Sequence, residues 1–387
     1  MRMVSIGRKT KATRSTFTRR AFVAGCAAAL CLGLTLPMAG CGSDGAKSEG
    51  APAAQSTKDE AATRTFTDSV GRTVEIPGQI DRVAPSGHTA TQVLLTMAPD
   101  KLVGISQELD DSLAKYVGQE YADLPVFGAA FGSKGDLNKE AVAAAGAQIL
   151  IDTGEIKDGI AEDLDALQEQ LGIPCVFIET KLEDYGAAYE MLGELLGMED
   201  RGQELAHYCR AAYDETQQVM AGIPESERAN VAYLLGDAGT NAIAKDSYQG
   251  QVLDMVANNV AVIDEPSGKG TGNEVSLEQI ALWDPEIILF QKGSIYDTVA
   301  DDPAWAGIAA VKSGQVYEVP NEPWCWLNNP PTINQVMGMQ WLPRLLYPDA
   351  YDDDLYETVA ACYQTFYGYD LSQSEFDELM ANALPKH

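Results

Sequence analysis

Leu137–Asp152 reads LNKEAVAAAGAQILID, and Val275–Phe290 reads VSLEQIALWDPEIILF. Laid over one another without a gap, they put Glu140 on Glu278, Ala143 on Ala281 and Ile149 on Ile287. Each copy has an acid near the start of a short helix, then a break, then an apolar run suited to a buried strand. A weaker echo sets Gln92-Val93-Leu94 on Gln251-Val252-Leu253. One helix–strand unit used twice implies two α/β lobes.

The flanking sequence extends this pattern. Phe66 to Pro77 alternates strand formers around Gly71 and predicts a β-hairpin. Further strands are expected at 82–84, 102–105, 149–152, 175–178, 231–235, 287–291 and 316–319, with helices at 89–97, 139–145, 160–171 and 182–196 between them. Asp200 to Met220 has no glycine after Gly202 and predicts one long helix, a rigid spine near the middle of the chain. The expected fold is α/β: two Rossmann-like lobes, residues 64–199 and 223–387, joined by the helix at 200–222, with a ligand cleft between them.

Residues 1–40 carry seven basic side chains and no acid, and Ala21–Leu36 is apolar but short for a membrane span. Met38-Ala39-Gly40-Cys41 resembles a bacterial lipoprotein cleavage site, and Thr18-Arg19-Arg20-Ala21-Phe22 a twin-arginine export signal. The resemblance implies export, lipidation of Cys41 and a flexible tether at 41–63, rich in Gly, Ala, Ser and Pro.

Without the signal, 20 Lys and Arg remain against 57 Asp and Glu, a net charge of −37. Such a chain lacks the basic footprint of a nucleic-acid binder and does not adhere electrostatically to anionic lipid, so the membrane contact would be the lipid alone. The three histidines, His88, His207 and His387, are scattered. There is no zincin motif, nucleophile elbow or Walker loop, which leaves an enzyme without its parts and predicts no catalytic or metal-ligating residues. Cys175, Cys209, Cys325 and Cys362 form no C-x-x-C motif, and their pairing stays open.

Polar and aromatic groups gather at predicted loop ends. Pro85-Ser86-Gly87-His88 follows the first strand of the first lobe and leads into a helix, where small side chains and helix N–H groups suit a ligand. Phe131 and Lys134 lie in a glycine-bearing segment, and Tyr248 precedes the 251–257 helix, with Ser247 as its expected cap. Trp324, Trp326 and Asn328 lie in a Pro/Asn-rich loop whose indoles offer wide flat faces. These nine residues, Ser86 through Asn328, are the candidate ligand contacts.

The Phe66–Pro77 hairpin with Asp68 and Gly71-Arg72, Leu137-Asn138-Lys139-Glu140, Val275-Ser276-Leu277-Glu278 and Trp283-Asp284-Pro285-Glu286, with Trp305 ahead of Ala310–Tyr317, resemble the substrate-binding lipoproteins of bacterial ABC importers for ferric siderophores, haem and cobalamin. The resemblance runs from about Phe66 to Pro348. It implies a non-enzymatic, monomeric carrier without a cofactor. The carrier would take an iron chelate, haem or corrinoid from outside the cytoplasmic membrane to an ABC permease and its ATPase. It further implies that Glu140 and Glu278 dock to permease arginines. The histidine shortage argues against zinc or manganese, and a free metal ion or an oxyanion is the alternative cargo. A secreted hydrolase is the rival from another class.

Overall fold

A computed structural model describes residues 62–131, 135–267 and 270–386. The export signal, Cys41, most of the tether and Lys134 lie outside the described residues. The hairpin forms as expected: strands β1 (Thr63–Thr67) and β2 (Thr73–Pro77) pair antiparallel, and Gly71 takes the left-handed φ of 79° that the turn demands. Arg72 ties it to the first lobe, bonding Asp68 at 3.0 Å and the Cys175 carbonyl at 3.0 Å.

The first lobe is built on a parallel sheet, β3 (Val83–Pro85), β4 (Ile149–Gly154) and β5 (Cys175–Glu179). Ile149, Leu150 and Ile151 are all fully buried, as expected of a strand covered on both faces. The strand expected at 102–105 is reduced to two isolated bridges, Val83 to Leu102 and Ile105 to Val126. The second lobe has β6 (Asn230–Leu235) at its centre, paired with the short β7 (Asn241–Ala242) and β8 (Asn258–Asn259) and with β10 (Ile287–Phe290). The short β9 (Asn273–Glu274) extends β7, and β11 (Val316–Glu318) runs parallel to β10.

The spine is a single 23-residue helix, Glu199–Ala221, roughly 34 Å long at the standard rise. Glu199 and Asp200 sit in its first turn, where the helix dipole favours acids. Gly202, Leu205, Ala206, Cys209, Ala212, Thr216 and Met220 are its buried stripe, spaced by three or four residues apart from the adjacent Leu205 and Ala206. The stripe packs on helix Tyr185–Leu196 and on helix Asn334–Leu346. At Gly202 a Cβ would stand 2.6 Å from the Tyr189 carbonyl and 3.0 Å from the Gly193 Cα, so two backbones touch there.

The terminal helices Leu355–Tyr367 and Gln373–Met380 run back over the first lobe as well as the second. Tyr116, on the first-lobe helix Asp111–Val117, stacks edge-on against Tyr363 at 5.3 Å and Tyr369 at 4.9 Å, and Lys115 pairs with Glu375 at 2.7 Å.

Candidate ligand-binding cleft

In each lobe the long strands are parallel, so all their C-terminal ends lie along one edge, the place where open α/β sheets take ligands. Contacts between the lobes show that these edges face one another. The Tyr248 hydroxyl donates to the Thr180 carbonyl just past β5 at 2.8 Å, and the Leu182 amide donates to Gln251 Oε1 at 3.2 Å. At the other end, the Tyr116 hydroxyl donates to Glu322 Oε2, past β11, at 2.6 Å. Between the two, Gln92 accepts from Thr332 and, at 3.4 Å, from Asn334. The echoed glutamines Gln92 and Gln251 thus both reach across the divide.

The first-lobe rim gathers four of the nine candidate contacts, Ser86, Gly87, His88 and Phe131. Pro85 ends β3, Ser86 is buried against Asp152, and Gly87 caps helix His88–Met97, whose first turn carries no acid. His88 Nδ1 lies 2.9 Å from Ser106 Oγ, which also receives the Thr91 hydroxyl at 2.9 Å. The Ala130 amide donates to the Ser86 carbonyl, bringing half-buried Phe131 alongside. Tyr248 reaches the first lobe from the second at the Thr180 carbonyl. Ser247, expected as a helix cap, instead bonds the Ala244 carbonyl at 2.6 Å, because a short 3₁₀ turn, Tyr248–Gly250, precedes helix Gln251–Val256.

Trp324, Trp326 and Asn328 take a different place from the one read off the sequence. Trp326 and Asn328 are fully buried and Trp324 nearly so. Trp326 packs edge-on against Trp341 at 6.4 Å and donates its indole N–H to the Glu322 carbonyl at 2.9 Å. Asn328 accepts from the Tyr233 hydroxyl at 2.7 Å, which ties the loop to β6. The loop is committed to its own lobe's core and offers no flat face to a ligand in this arrangement.

Residues that sequence reasoning passed over complete the cleft floor. Asp152 and Thr153 lie just before the end of β4 at Gly154 and Thr180 follows β5, all three buried. Burial pushes the Asp152 carboxyl up to about 6, against the opposing pull of the Ser86 hydroxyl, the Thr153 amide and Lys157. Burial likewise pushes Tyr248 up to about 12, eased by Thr180 and reinforced by Glu155, Glu179 and Asp152. A polar pair closing the apolar run Ile149–Ile151 was the available signal for Asp152 and Thr153. At the Tyr116 end a cavity of about 240 Å³ lies among Lys115, Tyr116, Lys292, Asn321, Glu322 and Glu375.

Glu140 and Glu278 are both exposed, each at the second position of its helix, Lys139–Ala144 and Leu277–Trp283. Asn138 and Ser276 cap those helices, accepting from the amides of Ala141 at 3.0 Å and Gln279 at 3.2 Å. Among the described residues, no three His, Cys, Asp or Glu side chains stand together as a metal site, and no helix is long and apolar enough to cross a membrane. Cys175, Cys209, Cys325 and Cys362, the four cysteines among the described residues, are buried free thiols.

Known proteins share this architecture. Molybdate-binding protein MolA of Haemophilus influenzae is 25% identical over 335 residues, covering 79% of this chain and 91% of that protein. The Fe(3+)-citrate-binding protein YfmC of Bacillus subtilis is 25% identical over 233 residues, 57% of this chain and 68% of its own. An ABC transporter solute binding protein from Sulfurospirillum deleyianum superposes with a TM-score of 0.75 at 28% identity, covering 82% of this chain and 99% of that one. The periplasmic binding protein model matches residues 88–323, more than half the sequence, and with two lobes, one spine helix and a cleft between facing strand ends, the chain belongs to the periplasmic binding protein family.

Proposed function

We propose that this protein is the extracytoplasmic receptor of an ABC importer and carries a compact, oxygen-rich metal complex, either a metal oxyanion or an iron chelate of hydroxycarboxylate type. The carrying observation is what the two rims offer. Ser86, Ser106 and the start of helix His88–Met97, which has no side-chain cap, lie on the first-lobe rim, and Tyr248 reaches that lobe from the second at the Thr180 carbonyl, while the Trp326 indole is wholly inside the second lobe. Hydroxyls and helix N–H groups bind oxygen atoms well and flat macrocycles poorly. Haem and corrinoids, which need a broad aromatic platform, fit this lining less well. The two curated relatives, which bind molybdate and Fe(3+)-citrate, support the same chemistry. In this reading the carrier is a monomer without catalytic activity, held by a lipid on Cys41 at the outer face of the cytoplasmic membrane. It meets its permease through Glu140 and Glu278.

Calorimetric titration of the detergent-solubilised full chain with molybdate, ferric citrate, haemin and cobalamin tests the cargo. Saturable binding of molybdate or ferric citrate, with no saturable heat from the two macrocycles, is expected. Tight haemin or cobalamin binding with neither of the others would sink the reading.

A further inference from the structure

Two apolar rows of the first-lobe core end in threonine. On β4, Ile149 and Ile151 face the main core, while Leu150 faces the smaller cluster on the other side of the sheet. Strand alternation sends Thr153 to the same side as Ile149 and Ile151. On β5, Val176 and Ile178 belong to that same core, and Thr180 continues their row, its amide still bonding the Gly154 carbonyl at 2.9 Å. Thr153 is 5% exposed and Thr180 not at all. Among the described residues, Thr153 Oγ1 and the buried Tyr185 hydroxyl have no hydrogen-bond partner, and Thr180 Oγ1, which no bond of good geometry engages, lies beside the Tyr248 phenol. Buried hydroxyls are nearly always paired, because leaving one unmade is costly, and valine would fill the same space without that cost.

These hydroxyls lie where the lobes meet. Tyr248 bonds the Thr180 carbonyl, and its phenol is close enough to Tyr185 to act on it electrostatically. Carboxylates stand nearby: Asp152 beside Ser86, and Glu179, paired with Lys181 at 2.7 Å. Oxygen atoms of a cargo would meet hydroxyl donors on such a floor, and the nearby carboxylates favour a complex whose negative charge is low.

We infer that Thr153 and Thr180, with Tyr185 behind them, are specificity-determining residues that keep their hydroxyls for the oxygen atoms of the cargo. This rests on the cargo reading above. The test compares the full chain with the double variant Thr153→Val, Thr180→Val and with Thr153→Ser, Thr180→Ser, by titration with molybdate and with ferric citrate and by unliganded Tm. For whichever probe binds the unaltered chain, the valine variant should bind at least tenfold more weakly, the serine variant should stay close to the unaltered chain, and unliganded Tm should hold or rise. Affinity unchanged by valine overturns the inference. So does a fall of several degrees in the unliganded Tm of the valine variant, which would mean that the hydroxyls already have partners. If neither probe binds the unaltered chain, the cargo reading fails by itself. The Tm comparison then decides for the hydroxyls, a rise keeping them as reserved donors and a fall removing them.

Discussion

The helix–strand units Lys139–Gly154 and Leu277–Phe290 agree at one end and part company at the other. At the outer end both begin with a side-chain cap, Asn138 or Ser276, and both expose a glutamate at the second helical position. At the inner end, the residue that aligns with Asp152 is Phe290. Asp152 is a buried acid held by Ser86, whereas Phe290 is fully buried against Trp305 at 5.7 Å. A duplicated unit has kept its outward face alike and split its inward face into a polar floor and an apolar wall. That is the division expected if the outside meets a symmetric partner and the inside meets an asymmetric cargo.

The outer ends carry the largest expected effect. If Glu140 and Glu278 dock as proposed, Glu140→Arg with Glu278→Arg should bring uptake in cells to background while the purified chain binds its cargo as before, because both side chains are exposed. Uptake unchanged in the double variant would break the symmetric-docking half of the comparison.

The inner ends should respond with opposite signs. Phe290→Ala removes a fully buried ring and should cost about 3–5 kcal/mol in denaturant unfolding. Asp152→Asn should stabilise at pH 7. Its carboxyl is raised to about 6 in the fold against 3.8 for the free group, so between those values the folded protein keeps a proton that the unfolded chain gives up. Stability from this group is therefore full below about pH 4, falls as pH rises, and is lost above about pH 6. The variant should gain about 2–3 kcal/mol at pH 7 and almost nothing at pH 4. A slope should remain in that range from Asp254, which burial also raises to about 6. An equal loss for both variants at pH 7 would erase the distinction between floor and wall.

The smallest effect sharpens the likeness. Asn138→Ala and Ser276→Ala should each cost about 1 kcal/mol, and by nearly the same amount, in thermal unfolding. A clear inequality would show that the two helix starts carry different loads.

Periodic segments were legible because local pattern and tertiary burial agree in them. Helix Ile160–Leu171 was expected at those bounds, and the spine was expected within one residue at each end. The 102–105 run was legible as apolar, but Leu102 and Ile105 make only single bridges, and nothing local distinguishes a bridge from a strand. The candidate site was legible where it coincides with a strand end, at Ser86 to His88. Thr180 was not legible, and Tyr248 was legible as a residue but not as a contact, because their bond joins residues 68 positions apart. The tryptophan loop shows the same limit. Its Pro and Asn content marks a turn, but the direction of Trp326 is decided by Trp341 on a later helix, and loop composition says nothing about that partner.

The backbone contact between Gly193 and Gly202 has a kinetic consequence. With no side chains between the two helices, the spine is clamped to the first lobe at its start, and the carrier should behave as a stiff jaw. Release is then a matter of breaking small clasps such as Tyr248 to Thr180 and Tyr116 to Glu322, and not of a wide swing. On the docking proposal, a stiff jaw holds Glu140 and Glu278 at nearly one spacing whether or not cargo is aboard. Filled and empty carriers would then compete for the same permease, and import would follow the fraction filled more closely than the tightness of binding.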